Sequence, residues 1–302
     1  MIERFTQGNL VWVNLKRPTT EEVQQIMKEH KLPPALLGDL TSPVPRSTAV
    51  SLDGVVKLTI DFPTIKWAHN IPHEIKFIIS KKALITVHYE EMEAIDRFKK
   101  EFEVISTLHK ASKKAHVGHI FVSLLSELYR VMDSKLDYIE SKLGDIESGM
   151  FDGEEKQVVY TISDVSKKII SFRQTIKTHD ELLREAKPHL DSIFKNNLNG
   201  EFQEMTVRYF HVLRRTSALF ETLADLRETN MALLTTKQNE VMKILTIMAF
   251  ITFPLSLLTS MFGMNTESTP LIGRNGDFWI ILGIMSVATV CFFTFFKYKN
   301  WI

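Results

Sequence analysis

The sequence predicts an α+β domain, built as an α/β sandwich, followed by long stalk helices and two C-terminal transmembrane helices. Three observations predict this order. Residues 1 to about 110 carry short runs of strand-like alternation around a helix-start signal. From about Val117 the apolar spacing changes to steps of three and four. Near the end lie two charge-free runs, Ile244–Thr266 and Phe278–Phe296, of 23 and 19 residues. A bilayer core of about 30 Å is crossed by about 20 helical residues, so both runs are long enough to span it.

Within the first region, Leu10–Leu15 reads as a strand, and Pro18-Thr19-Thr20-Glu21-Glu22 as a helix start with a hydroxyl cap and acids in the first turn. Val55–Phe62, Glu74–Ile79 and Ala83–His88 are further strands, and Pro43-Val44-Pro45 marks a loop. One apolar stripe then runs from Leu125 to Met150 and is broken at Phe151-Asp152-Gly153. A second runs from Val158 to Leu183; Pro188 and the Asn196–Gly200 cluster are expected to end it. His179 lies on that stripe and is expected to be a satisfied core histidine rather than a metal ligand. From Glu201 to Phe262 there is one proline, Pro254, and no glycine. If continuous, those residues form a helix of roughly 93 Å at 1.5 Å per residue, a stalk that enters the membrane and calls for partners around it.

Composition narrows the function. Charged residues make up 24%, apolar residues 44%, and mean hydropathy is −0.03, which alone would suit a soluble protein; the two apolar runs exclude that reading. Lys+Arg number 37 against Asp+Glu 36, so no overall basic field points to nucleic acid. The single cysteine, Cys291, forms no intramolecular disulfide and excludes a zinc ribbon; inside the second run it is expected to pack as a small hydrophobe. The N-terminus has no apolar signal core. Lys237 and Lys243 flank the start of the first span, Lys297 and Lys299 follow the second, and the connector Glu267–Asp277 holds one cation, Arg274. Positive-inside counting therefore places both termini in the cytoplasm and the connector outside. The expected division is a cytoplasmic α/β domain over 1–115, a cytoplasmic long-helix stalk over 116–241, and a membrane domain over 242–302. In the last, the spans cover 244–264 and 278–296, the external loop 265–277 and the cytoplasmic tail 297–302.

Stepping by three and four from Asn239 gives Met242, Thr246, Ala249, Phe253, Ser256, Ser260 and Gly263, mostly small or polar residues flanked by Ile, Leu and Phe. Two readings stand. Small residues favour close helix contacts in lipid, or several copies surround a pore that this face lines. Continued backwards, the register reaches Thr235, Ala232, Glu228, Asp225 and Glu221; rings of such acids in a symmetric oligomer would attract cations at the inner mouth. Enzyme chemistry has little footing: His116-x-x-His119, and Glu90-Glu91 near His88, lack a second ligand set or a nucleophile. No phosphate-binding Gly-x-x-x-x-Gly-Lys-Ser/Thr loop is present. A coiled-coil body anchored by a membrane hairpin remains an alternative.

Met261-Phe262-Gly263-Met264-Asn265 closes the first span, and this Gly-Met-Asn triplet resembles that of the CorA magnesium transporter family. Asn239–Ile247 is similar to that family's lead into the pore helix, Phe253-Pro254-Leu255-Ser256 to its mid-membrane proline motif, and Lys297–Ile302 to its basic tail. Glu267 and Pro270 fall at family-like loop positions, and Trp12–Leu15 with Pro18-Thr19 and Glu21-Glu22 resembles its opening. Phe262, Thr266, Thr269, Ser256 and Phe253 depart from the usual residues, which bears on ion preference more than on architecture.

The resemblance implies a homopentameric funnel in a bilayer that transports Mg²⁺, with Co²⁺ and Ni²⁺ as surrogates and no organic cofactor. It places Gly263, Met264 and Asn265 at the external filter, and Asn239, Met242, Leu245, Phe253 and Ser256 on the pore. Glu228 stands at the cytoplasmic mouth, and Glu204 in an interprotomer cation-sensing pair. A zinc transporter of the same two-span group is the alternative. Mg²⁺ gives up water reluctantly and prefers octahedral oxygen, so amide and carbonyl oxygens that bind its water shell suit it. Met242 and Leu245 are either packing residues or an apolar constriction that gates by dewetting. Pro254 leaves the Phe250 carbonyl without its helical donor, as a kink or a spare oxygen.

Overall fold

The computed structural model describes residues 1–43, 47–63, 73–108, 116–195, 197–264, 276–299 and 301, without the side chains of 104–108. They form two compact units, Met1–Leu226 and Arg227–Ile302.

The first unit is built on a six-stranded sheet. Its strands are β1 (Ile2–Gln7), β2 (Leu10–Lys16), β3 (Thr48–Leu52), β4 (Val55–Asp61), β5 (Glu74–Ile79) and β6 (Ala83–His88), in the order β1-β2-β6-β5-β4-β3. All neighbours run antiparallel except β2 and β6, which are parallel with Trp12 opposite Leu84. The central strands β5 and β6 are buried along their whole length. That explains why they read as unbroken apolar runs: both faces are covered. Val13, Leu15, Ile78, Ile85 and Val87 face α1 (Thr20–Glu29) and α2 (Leu37–Thr41). Residues of the opposite parity meet α3 (Glu93–Leu108) and α4 (Val117–Phe151): the Trp12 ring is edge-on to Phe98 at 5.2 Å, and Phe77 to Phe121 at 5.2 Å. The result is the expected α/β sandwich. α1 begins at a complete capping box in which the Thr19 hydroxyl accepts from the Glu22 N–H and the Glu22 carboxylate accepts from the Thr19 N–H.

Polar groups buried in the sandwich are joined in chains. The Trp12 indole N–H donates to Thr86 Oγ1 (3.1 Å), the Thr86 hydroxyl to Asn14 Oδ1 (2.8 Å), and Asn14 Nδ2 to Glu3 Oε2 (2.8 Å). Lys76 and Glu74 are a fully buried ion pair at 2.9 Å, and the Lys76 ammonium also donates to the carbonyls of Asp39 and Ser42. Burial lowers the Lys76 pKa, with Glu74 opposing the shift.

Two long helices continue the unit: α4, of 35 residues, and α5 (Glu155–Phe194), of 40. α4 ends where expected, at Phe151. α5 does not end at Pro188 but runs on to Phe194, where Lys195 takes a left-handed conformation (φ 54°). One proline removes one backbone donor, and the apolar stripe beyond it, Leu190, Ile193 and Phe194, is buried and holds the last turns in place. His179 is wholly buried: Tyr129 Oη lies 3.1 Å from Nδ1 and the Asp61 carbonyl 2.8 Å from Nε2. A carbonyl only accepts, so Nε2 carries the proton and Nδ1 accepts from the tyrosine. This is the satisfied core histidine anticipated above. The Pro43–Pro45 loop lies largely outside the described residues.

α6 (Asn199–Phe262) is a single 64-residue helix that contributes to both units. α7 (Asp277–Tyr298) is the second apolar helix. Both are long and apolar enough to cross a membrane, and the chain itself leaves their apolar stretches almost wholly uncovered: Phe253 is 73% exposed and Trp279 72%. Helices of that character are stable only against lipid or other chains. Cys291 is exposed on α7 in one copy, among the apolar residues that this chain leaves uncovered.

Candidate functional site

The polar stripe lies on one continuous helix. Asn239, Met242, Leu245, Phe253, Ser256 and Ser260 are exposed on α6, and Thr246 and Ala249 half-buried. A 3.5-residue step drifts by about 20° per heptad on a straight 3.6-residue helix, so from Asn239 to Gly263 the stripe winds by about 70°. Copies of α6 would have to cross with a left-handed twist to keep it facing inward.

Hydroxyls on α6 are turned back onto its own backbone. Thr246 Oγ1 donates to the Met242 carbonyl (2.7 Å) and Thr259 Oγ1 to that of Ser256 (2.8 Å). This lowers the cost of holding them in an apolar setting. The helix ends by tightening: the Gly263 N–H reaches the Thr259 carbonyl at 2.9 Å, and the Met264 N–H reaches that of Met261 at 3.4 Å. A Cβ on Gly263 would sit 3.1 Å from the Thr259 oxygen, so glycine lets the backbone close here without a push on that carbonyl. Gly263 and Met264 are exposed. Asn265 and Glu267, expected at the filter and in the loop, lie outside the described residues.

The acids are all on α6. Glu221, Asp225 and Glu228 are exposed. Glu204 is 72% exposed and pairs with Arg208 at 3.5 Å. It lines a cleft of about 700 Å³ in the first unit, shared with Glu201, His119, Glu127 and Arg130. There His119 Nδ1 contacts the Glu201 carboxylate. Glu127, nearly buried, holds Arg130 through two bonds of 2.6 and 2.7 Å. No group of three or more His, Cys, Asp or Glu able to hold a metal is found among the described residues. His116 and His119 stack at 3.8 Å, with Phe194 on the other side of His116 at 4.9 Å. Burial, then the neighbouring His119, push the His116 pKa down. The pair is a packed stack, not a splayed ligand set.

One feature escaped the sequence. Arg215 on α6 is gripped by Asp133 (3.0 Å), Asp137 (2.5 Å) and Glu140 (2.5 Å) of α4. Burial works against its charge, but the bonds to Glu140, Asp137 and Asp133 outweigh it and raise the pKa. Three acids at steps of four and three share a face of α4, yet nothing in sequence pairs that face with a residue about 80 positions away.

A sheet domain joined to long helices, one running on into the first of two uncovered apolar helices, defines a two-span integral membrane protein. The family model described as CorA-like Mg²⁺ transporter protein matches residues 7–298, and the chain belongs to the CorA family, which comprises ion transporters rather than enzymes. Among curated relatives, it is 23% identical to the cobalt/magnesium transport protein CorA of Methanocaldococcus jannaschii, over 99% of this chain and 93% of that one. To the protein of the same name from Thermotoga maritima it is 22% identical, over 96% and 83%. The solved structure of the M. jannaschii CorA magnesium transporter superposes with a TM-score of 0.85 at 20% identity, covering 99% of this chain and 93% of that one. The fold is therefore that of the complete CorA chain.

Proposed function

We propose that this protein is a passive divalent-cation channel that takes up Mg²⁺, with Co²⁺ and Ni²⁺ as surrogates. Five copies assemble in the plasma (inner) membrane with both termini in the cytoplasm. Residues 1–115 and 116–241 form the cytoplasmic α/β domain and stalk, and 242–302 the membrane domain. The observation that carries the reading is the winding polar stripe from Asn239 to Gly263 on an α6 whose apolar flanks the chain leaves uncovered, in a member of this family. Lipid suits the apolar flanks; the polar stripe needs water, and a water-filled axis between copies supplies it. The curated relatives, named for cobalt and magnesium transport, support the choice of ion.

At the external end, Gly263 carbonyls and Asn265 amides hydrogen-bond to the water shell of the ion and hold it without a full charge. Met242 and Leu245 form an apolar constriction further in. Glu221, Asp225 and Glu228 concentrate cations at the inner mouth. Among the described residues of one copy no metal-ligand set surrounds Glu204, which suits a regulatory Mg²⁺ held between copies: bound, it keeps the assembly symmetric and closed, and its loss frees acid repulsion. Uptake needs no nucleotide. A dication crossing 100 mV gains about 4.6 kcal/mol, which supports a concentration ratio beyond about a thousandfold at 1.4 kcal/mol per decade.

The test is uptake into proteoliposomes that hold a Mg²⁺-sensitive dye, under an inside-negative potential, with wild type beside Asn265→Ala. Potential-driven Mg²⁺ uptake that is lost in the variant is expected. Flux of Zn²⁺ without Mg²⁺ would reassign the ion, and no flux of any dication would refute the channel.

A further inference from the structure

At the Lys297 end of the second unit, α6 and α7 leave a groove of about 780 Å³ between them, within the roughly 300–1,000 Å³ of ligand-sized clefts. Phe250 of α6 forms one wall and Cys291, Phe292, Phe295 and Phe296 of α7 the other. Phe296 is one of the few buried side chains of this unit. Its ring stands edge-on to Phe250 at 6.3 Å and stacks on Trp301 at 5.8 Å. The Trp301 N–H donates to the Phe296 carbonyl at 3.0 Å, so the tail folds back over the end of α7. That turn sets Lys299 and Trp301 on the groove, and among the described residues no acidic side chain lines it.

The chemistry is divided along the groove. The aromatic part suits an acyl chain. The other end carries an ammonium beside a tryptophan, the pairing found at the headgroup level of a bilayer. A zwitterionic lipid brings its own cation to its phosphate, whereas an anionic lipid leaves a net charge for Lys299 to meet. We propose that this groove binds one anionic glycerophospholipid from the leaflet on the side of the Lys297–Ile302 tail, its acyl chain along Phe250, Phe292 and Phe295 and its phosphate on Lys299. The inference rests on the membrane placement of the two apolar helices and is independent of which ion passes.

The test uses the full-length chain in phosphatidylcholine vesicles. In a Trp67→Phe, Trp279→Phe background the remaining tryptophans are Trp12, wholly buried in the sheet unit, and Trp301. Brominated phosphatidylglycerol or brominated phosphatidylcholine is added at equal mole fraction, and quenching of Trp301 is read. One lysine near the surface, about 1 kcal/mol, corresponds to about a fivefold preference for the anionic lipid, and Lys299→Gln is expected to abolish it. Equal quenching by the two lipids would overturn the proposal, as would a preference that survives Lys299→Gln. Quenching by neither would also overturn it, since a neighbouring copy then covers the groove. Trp279, read beside the buried Trp12 in a Trp67→Phe, Trp301→Phe background, should be quenched by both lipids. Failure there would overturn the membrane placement itself.

Discussion

His179 sets a pH limit on the stability of the sheet unit. Its ring is wholly buried, accepts from the Tyr129 hydroxyl and donates to the Asp61 carbonyl. Burial lowers the pKa from 6.5 to about 4, with the bond to the Asp61 carbonyl opposing the shift. In the unfolded chain the ring binds a proton near its ordinary pKa. Above that value both states are neutral and His179 contributes no pH dependence. As pH falls from the unfolded pKa towards the folded one, the unfolded state takes up the proton first, and stability is lost. Between pH 7.5 and 5 the loss is about 2 kcal/mol, at 1.36 kcal/mol per pKa unit.

His179→Gln isolates this effect. Glutamine has one donor and one acceptor for the same two partners and does not titrate. Other lowered histidines, His30, His73, His88 and His116, lie in the same unit, so the quantity to read is the difference between wild type and variant. In full-length protein in detergent, hydrogen exchange of β4 and of α5 around position 179 is measured at both pH values and corrected for intrinsic rates. Protection in wild type should fall by about thirtyfold more than in the variant. Equal falls in the two proteins would refute the reasoning, because His179 would then be protonated in the fold or unlinked from it.

Three further predictions follow from other parts of the chain. Lys76→Met removes the ammonium that faces the buried Glu74 carboxylate and should cost about 3–5 kcal/mol in urea unfolding, whereas Lys76→Met with Glu74→Leu should recover much of it. Gly263→Val sets a branched side chain where even a Cβ lies 3.1 Å from the Thr259 oxygen; Mg²⁺ flux should fall at least tenfold while the oligomer measured by native mass spectrometry stays intact. Glu204→Gln and Glu228→Gln should each raise the internal Mg²⁺ concentration that half-inhibits flux, and unchanged inhibition in both would remove these two residues from the regulatory scheme.

Much of the architecture was legible along the chain because it rests on local periodicity. β5 and β6 begin and end where the apolar runs do, α1 starts at its Thr19 box, and α4 ends at Phe151-Asp152-Gly153. The two strands that were missed lack a local signature, whereas α3, also missed, carries helical apolar spacing at Ile95, Phe98 and Phe102. β1 and β3 are the two edge strands, exposed on part of their length, and their residues become strands only by pairing with β2 and β4. Pro188 misled because a proline's cost is local, while the burial of Leu190, Ile193 and Phe194 that outweighs it comes from chain distant in sequence.

By itself the sequence determined that the chain carries two membrane-crossing helices after a sheet domain, that a polar stripe shares register with acids further up the same helix, and which family motif closes the first span. These are statements about spacing along a helix, and helical geometry is the same wherever the helix lies. Only the tertiary structure decided that β2 and β6 pair in parallel, that His179 is held between α4 and β4, that Arg215 sits among three acids of α4, and that the tail folds back on Phe296 to form a groove. Each of those depends on residues brought together from far apart, where burial and charge, not spacing, select the partner.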